Sequence, residues 1–267
     1  MSFASVSFLL FFLVVLLLLL LVQRVLPFAE IKCRIICQGI LLIASYVFYG
    51  WWNMRLCLLL MGITWISFFT PVKKEEKHLR QSRISLLIGV GTPLAVLGIF
   101  KYYDFFVTSF CDVFHLTPGV LNLILPVGIS FYTFQALSYT IDVYTGKIEK
   151  EKSFLQFALY LSFFPQLVAG PIVKASEFLP QLKENRKVTL VGLESGIQIF
   201  VFGMFKKVVL ADNISVFVDE VYRSPQIFGS GTVALAVAAY SIQIYMDFSG
   251  YSDMAIGCAK CMGYELP

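Results

Sequence analysis

Charge is scarce in this 267-residue chain. Only 14% of its residues are Asp, Glu, Lys or Arg, against about a quarter in ordinary soluble domains. Histidine is rarer still, with His78 and His115 alone. A GxSxG elbow, a phosphate-binding loop and an HExxH pair are all missing, so the commonest hydrolase, nucleotide and zinc chemistries have no anchor here. The net charge of +4 is spread between apolar runs rather than gathered in a tract, which excludes a nucleic-acid surface. There is no disulfide framework either. Most of the six cysteines stand in or beside apolar stretches, where cysteine acts as a small hydrophobe. Cys258 and Cys261 form a CxxC, but no further pair of ligands lies near enough to complete a zinc site.

What the chain has instead is apolar surface. Hydrophobic residues make up 58% and aromatic ones 16%, with a mean hydropathy of +0.79. These values predict an all-α, polytopic membrane protein, a single membrane unit over 1–267. Residues 1–23 carry no charge and lack the basic start and cleavage site of a signal peptide, so they read as a retained first transmembrane helix. Apolar stretches follow at about 35–52, 56–69, 84–100, 120–141, 154–173, 195–205 and 232–246, giving seven to eight spans. Several are interrupted: Pro93 in one, Pro126 and Gly128 at the start of another, Pro165 and Gly170-Pro171 in a third. Such breaks at membrane depth are tolerated where protein or a water-lined cavity satisfies the backbone. Residues 70–83 and 174–193 read as soluble loops.

Positive loops set orientation. Arg24, Lys32 and Arg34 follow the first span, five basic residues follow the third, and Lys147, Lys150 and Lys152 follow the fifth. That alternation places the N-terminus outside. Lys174, Lys183, Arg186 and Lys187 then break it, unless 154–173 is re-entrant and returns to the cytoplasmic side. The acidic stretch 212–223 would then be an outward loop.

Two polar stripes carry the candidate chemistry. Gly128, Tyr132, Gln135, Tyr139 and Asp142 recur at spacings of four, three, four and three, one helical face, with Phe134, Leu137 and Ile141 opposite. Either helix–helix glue or a substrate channel accounts for such a face in hydrocarbon. The second is QIYMDFSGYSDMAIG, 243–257. Tyr245, Ser249 and Ser252/Asp253 fall on one face, Gln243, Asp247 and Gly250/Tyr251 nearly opposite, so this segment must be surrounded by protein or broken at Gly250. Each carboxylate there costs roughly 2.5–3.5 kcal/mol unless partnered. Lys206 and Lys207 interrupt another apolar run; they either snorkel to the head groups or attract an anionic donor. His78 sits among lysines and glutamates and His115 precedes Pro118; both read as incidental loop residues.

Four strings carry a resemblance: LPVGISFYTFQALSYTIDVY (125–144), FFPQLVAGPIVK (163–174), FKKVVLADNI (205–214) and QIYMDFSGYSDMAIG (243–257). With SYVFYGWWN (45–53), they resemble the membrane-bound O-acyltransferase superfamily, in the bacterial branch of the alginate O-acetyltransferase membrane protein and the D-alanyl-lipoteichoic acid transferase. The resemblance implies a helical tunnel in the cytoplasmic (inner) membrane. It implies acyl transfer, as in O-acetylation of an exopolysaccharide or wall polymer. The donor would be a cytoplasmic thioester, acyl-CoA or acyl carrier protein, with no bound cofactor and no metal. An extracytoplasmic acyltransferase partner is a further implication.

The tunnel wall would include Gln135, Tyr139, Gln166, Gly170, Pro171, Gln243, Tyr245, Asp247, Ser249 and Asp253, with Lys206 and Lys207 as donor-phosphate candidates. The family's catalytic histidine follows an asparagine-phenylalanine pair downstream of the last string. Neither His78 nor His115 corresponds to it, so no catalytic residue carries over, and the chain alone is expected to be inactive. A transporter or flippase would show inverted repeats, and none is visible. A degenerate, non-enzymatic membrane protein is the third reading.

Overall fold

The computed structural model describes residues 2–26, 28–74, 79–114, 116, 119, 121, 123–167 and 170–267, with backbone alone at Leu79 and Arg80. His78 and His115 lie outside these residues. In chain order the helices are α1 Val6–Val25, α2 Glu30–Gly50, α3 Met54–Phe69, α4 Leu79–Phe114, α5 Ile129–Tyr144, α6 Phe154–Ser162, α7 Phe164–Leu167, α8 Ala175–Lys183 and α9 Leu190–Met204. A π-helical segment Phe205–Ala211, α10 Asp212–Arg223, a 3-10 turn Pro225–Ile227 and α11 Ser230–Cys261 complete it. Among the described residues there is no strand. The chain is an all-helical, multi-pass membrane protein. Among the described residues four helices are long and apolar enough to cross a bilayer: α1, α2, Gln81–Phe114 of α4, and α11.

Local chemistry explains where these helices begin. Ser5, Asn53, Ser153 and Thr189 accept from the backbone N–H of Phe8, Arg55, Gln156 and Gly192, so each satisfies a donor the helix itself leaves orphaned. Gly128 enters α5 with φ 73°, a left-handed geometry that glycine alone adopts at no steric cost.

Four expectations need correction. The 84–100 span runs on to Phe114, and Pro93 sits inside a continuous helix. The supposed soluble stretch 174–193 contains α8, whose Phe178 and Leu182 are fully buried. The loop 70–83 gives way to helix at Leu79. Residues 212–223, expected as an outward loop, form α10, an amphipathic helix with Val218 and Val221 buried. Its apolar residues are interleaved with Asp219, Glu220 and Arg223, so a hydropathy average hides its buried face.

The chain divides into two compact units. The first comprises 1–40, 169–171 and 184–267. Its centre is the antiparallel pair α9 and α11, which approach backbone to backbone at two glycine contacts. A Cβ on Gly196 would stand 2.7 Å from the Gly257 carbonyl oxygen, and one on Gly203 only 2.6 Å from that of Gly250. Small residues permit this approach where no hydrophobic effect drives helices together in lipid. α1 joins through Phe8, whose ring stacks on Phe200 at 6.3 Å.

The second unit comprises 41–168 and 172–183. Its centre is α6, buried from Gln156 to Ser162. Phe157 packs against Tyr139 of α5 at 4.6 Å and Phe68 of α3 at 5.6 Å. The chain turns at Phe163, and the N–H of Phe164 donates to the Ser45 hydroxyl at 3.1 Å. On α5, Tyr132, Gln135 and Tyr139 are buried while Phe134 and Ile141 are exposed. Leu137 departs from that division and is buried. On that flank α4 packs closely, with Gly89 set against Thr140.

Candidate functional site

The polar motif of α11 stays helical throughout, and Gly250 is no break. Gly250 is buried: a Cβ there would meet the Gly203 carbonyl at 2.8 Å and the Lys207 nitrogen at 3.0 Å. This contact sets the π-helical segment directly across from the motif. A π turn carries one residue more than an α turn, with hydrogen bonds from i to i+5. The N–H of Asp212 donates to the Lys207 carbonyl in this way.

From that turn two successive lysines reach along the two sides of Gly250. Lys206 Nζ lies 2.6 Å from Asp253 Oδ2 and 2.9 Å from the Ser249 hydroxyl. Lys207 Nζ lies 2.7 Å from Asp247 Oδ1 and 2.6 Å from Asp212 Oδ1. Aromatic rings complete the enclosure, Phe202 with its centroid 4.7 Å from Lys206 Nζ and Tyr251 with its own 5.5 Å from Lys207 Nζ. The two faces of the motif, nearly opposite on α11, are thus each met by a cation. That solves the desolvation problem which the sequence poses, because each carboxylate of the motif has a partner within ion-pair distance.

Two lysines face three aspartates, so the cluster has no surplus positive charge to offer a phosphate. Both ammonium groups are engaged. Their arrangement holds the π turn to α11.

Asp212 escapes sequence reasoning. A spacing of five from Lys207 is wrong for an α-helical pair, where i and i+4 meet, and right for a π turn. The remaining candidates in this unit are more scattered. Tyr245 is largely exposed, and the Gln243 Oε1 is buried with no hydrogen-bond partner among the described residues. Gly170 is buried and Pro171 half-buried.

In the second unit the candidates form a buried polar set around Tyr160. The Tyr160 hydroxyl donates to the carbonyls of Gln135, at 3.5 Å, and Val173, at 3.3 Å. The Gln166 amide donates to the Tyr160 carbonyl, while its Oε1 is without a partner among the described residues. Tyr139 accepts from the N–H of Glu151 at 2.9 Å. Tyr49 and Tyr132 meet edge to face at 6.4 Å, and both hydroxyls are buried without a hydrogen bond in good geometry among the described residues. Tyr49 and Tyr160 stand in apolar strings, and the signal that could have found them is a polar residue one helical turn earlier, Ser45 and Gln156 respectively. Among the described residues no group of His, Cys, Asp or Glu could hold a metal.

Residues 148–266 match the membrane-bound O-acyltransferase family. The chain belongs to that family. The matched stretch contains Tyr160 and Gln166 of the second unit and the whole lysine–aspartate cluster. The chain is 39% identical over 234 residues to a probable alginate O-acetylase of Pseudomonas putida, covering 85% of this chain and 47% of the relative. It is 36% identical over 254 residues to a peptidoglycan O-acetyltransferase of Helicobacter pylori, covering 85% and 48%. A more distant relative is the teichoic acid D-alanyltransferase of Streptococcus thermophilus, 26% identical over 155 residues, 56% of this chain and 37% of the relative. The chain spans about half the length of these two O-acetylating relatives.

Proposed function

We propose that this chain forms part of an O-acyltransferase that moves an acyl group, acetyl in the first instance, from a cytoplasmic thioester onto a cell-surface polysaccharide or wall polymer. The family supports the reaction class, and the names of the relatives support the acceptor class. The observation that carries the reading is the clamp. Three carboxylates and two lysines are organised at the end of an apolar run, within the residues that match the family. Such a cost in charge at membrane depth is a mark of function rather than of simple anchoring. In the first unit the clamp residues with Gly170, Pro171, Gln243 and Tyr245, and in the second Gln135, Tyr139 and Gln166, are each proposed as polar lining.

The test is O-acetylation of alginate in a bacterium that lacks its own O-acetylase. The 267-residue chain alone is expected to give none, since it offers no histidine inside an apolar run. Co-expression with the part of an alginate O-acetylase that the match leaves uncovered is expected to restore acetyl groups. Acetylation by the chain alone, or none from the pair when both reach the membrane, would count against this reading.

The topology we propose has seven to eight membrane segments, an outward N-terminus in the cytoplasmic membrane, and a re-entrant 154–173. Support comes from α6, whose nine residues reach only about 14 Å, half of a hydrocarbon core of about 30 Å. Cysteines placed at Lys174 and Lys183 are expected to resist an impermeant thiol reagent in intact cells and to react after permeabilisation. Labelling from outside would rule the re-entrant path out.

A further inference from the structure

We infer that the second unit binds one anionic phospholipid, with an acyl chain along α3 and its phosphate among Lys73, Lys150 and Lys152. Three cavities lie end to end there. The first, of about 620 Å³, is walled by Gly50, Met54 and Met61 among others. The second, of about 410 Å³, shares Met61 with it and continues past Gly62 and Trp65 to Phe69. The third, of about 700 Å³, shares Phe69 and is walled by Lys73, Lys150 and Lys152. The lining therefore changes from apolar to cationic at one residue, the last of α3.

Among the described residues the lining at that end is net positive. Lys150 Nζ donates to the Phe69 carbonyl at 2.9 Å, where the helix presents its unsatisfied oxygens. Lys73 and Lys152 have no acidic partner among the described residues. Two carboxylates also line this cavity, Glu149 and Glu151. Glu151 is already matched: its Oε2 lies 3.0 Å from Lys183 Nζ, and its Oε1 accepts from the N–H of Lys152 and Ser153. Among the described residues that leaves Lys73 and Lys152 opposite Glu149. A neighbouring cavity adds Lys74 beside Lys73.

Geometry decides for a lipid over a soluble phosphate. From Met61 to Phe69 the helix rises about 12 Å, close to the depth of one leaflet in a hydrocarbon core of about 30 Å. A chain lying there and a phosphate at the lysines are one molecule's reach apart. A free phosphate compound would use the lysines and leave the apolar groove unexplained. The inference is independent of acyl transfer, because it concerns binding alone.

Native mass spectrometry of the 267-residue chain, titrated with phosphatidylglycerol or phosphatidylcholine, tests it. Phosphatidylglycerol is expected to bind at least about tenfold tighter, from an attraction that grows with each lysine near the head group. The triple variant Lys73→Gln, Lys150→Gln, Lys152→Gln should weaken phosphatidylglycerol by on the order of 100-fold and abolish the preference. Gly62→Leu adds bulk in the groove without touching the charge, at a position where a Cβ meets nothing within 4 Å. It should weaken both lipids and keep their ratio. Equal binding of the two lipids by the unaltered chain, or wild-type preference in the triple variant, overturns the inference. So does a soluble pantetheine phosphate that binds the lysines and is unaffected by Gly62→Leu, which would assign the site to a free phosphate.

Discussion

The double substitution Gly203→Ala, Gly250→Ala is expected to lower the thermal midpoint of the detergent-solubilised chain by about 5 °C or more. Each added methyl would stand under 3.0 Å from backbone of the facing helix, and backbone cannot swing aside as a side chain can. Overpacking of this kind costs about 1–3 kcal/mol per site. The effect should reach the site as well, because parting α9 from α11 draws the π turn away from Asp247 and Asp253. Gly39→Ala and Gly62→Ala are the controls. A Cβ at either meets nothing within 4 Å, and alanine favours the helix, so their midpoints should hold or rise. Equal melting of the double variant and these controls would show that the close approach is not what holds this pair.

The second large effect concerns Lys206 and Asp253. Lys206→Met is expected to cost about 1–3 kcal/mol, because it strands the Asp253 carboxylate in a site that is mostly closed. Breaking a fully buried pair costs about 3–5 kcal/mol, and side chains 18% and 24% exposed warrant less. Asp253→Asn alone should cost a comparable amount. The pair of substitutions together should cost less than their sum by about 1 kcal/mol or more, the signature of a direct interaction in a double-mutant cycle. Asp247→Asn should be milder, since Asp247 is 42% exposed and Lys207 keeps Asp212. Additive costs for Lys206 and Asp253 would mean that the two do not act as a pair.

Much of this protein could be read from residue order. The uncharged run at the start is α1, and the polar face of α5 is the buried one. The interruption around Pro165 separates α6 from α8, because these are properties of local composition and period. Where reading along the chain went astray, tertiary packing had overruled local averages. Pro93 lies inside α4, and α8 and α10 hide small apolar faces among charges. Leu137 is buried because α4 covers a flank that periodicity assigns to lipid.

The candidate residues divide in the same way. That Asp247 and Asp253 needed partners followed from the cost of charge in hydrocarbon, and Lys206 and Lys207 were conspicuous for the same reason. That each was the other's answer did not follow. They stand about forty residues apart in sequence, and no periodicity links separate helices. Residue order by itself determined the class of the protein, its helical make-up and its kinship, since these rest on composition and on contiguous strings. Only the tertiary structure decided which charges neutralise which. That choice depends on two glycine contacts that bring α9 and α11 together, and on one extra residue in a π turn that aims both lysines across the gap.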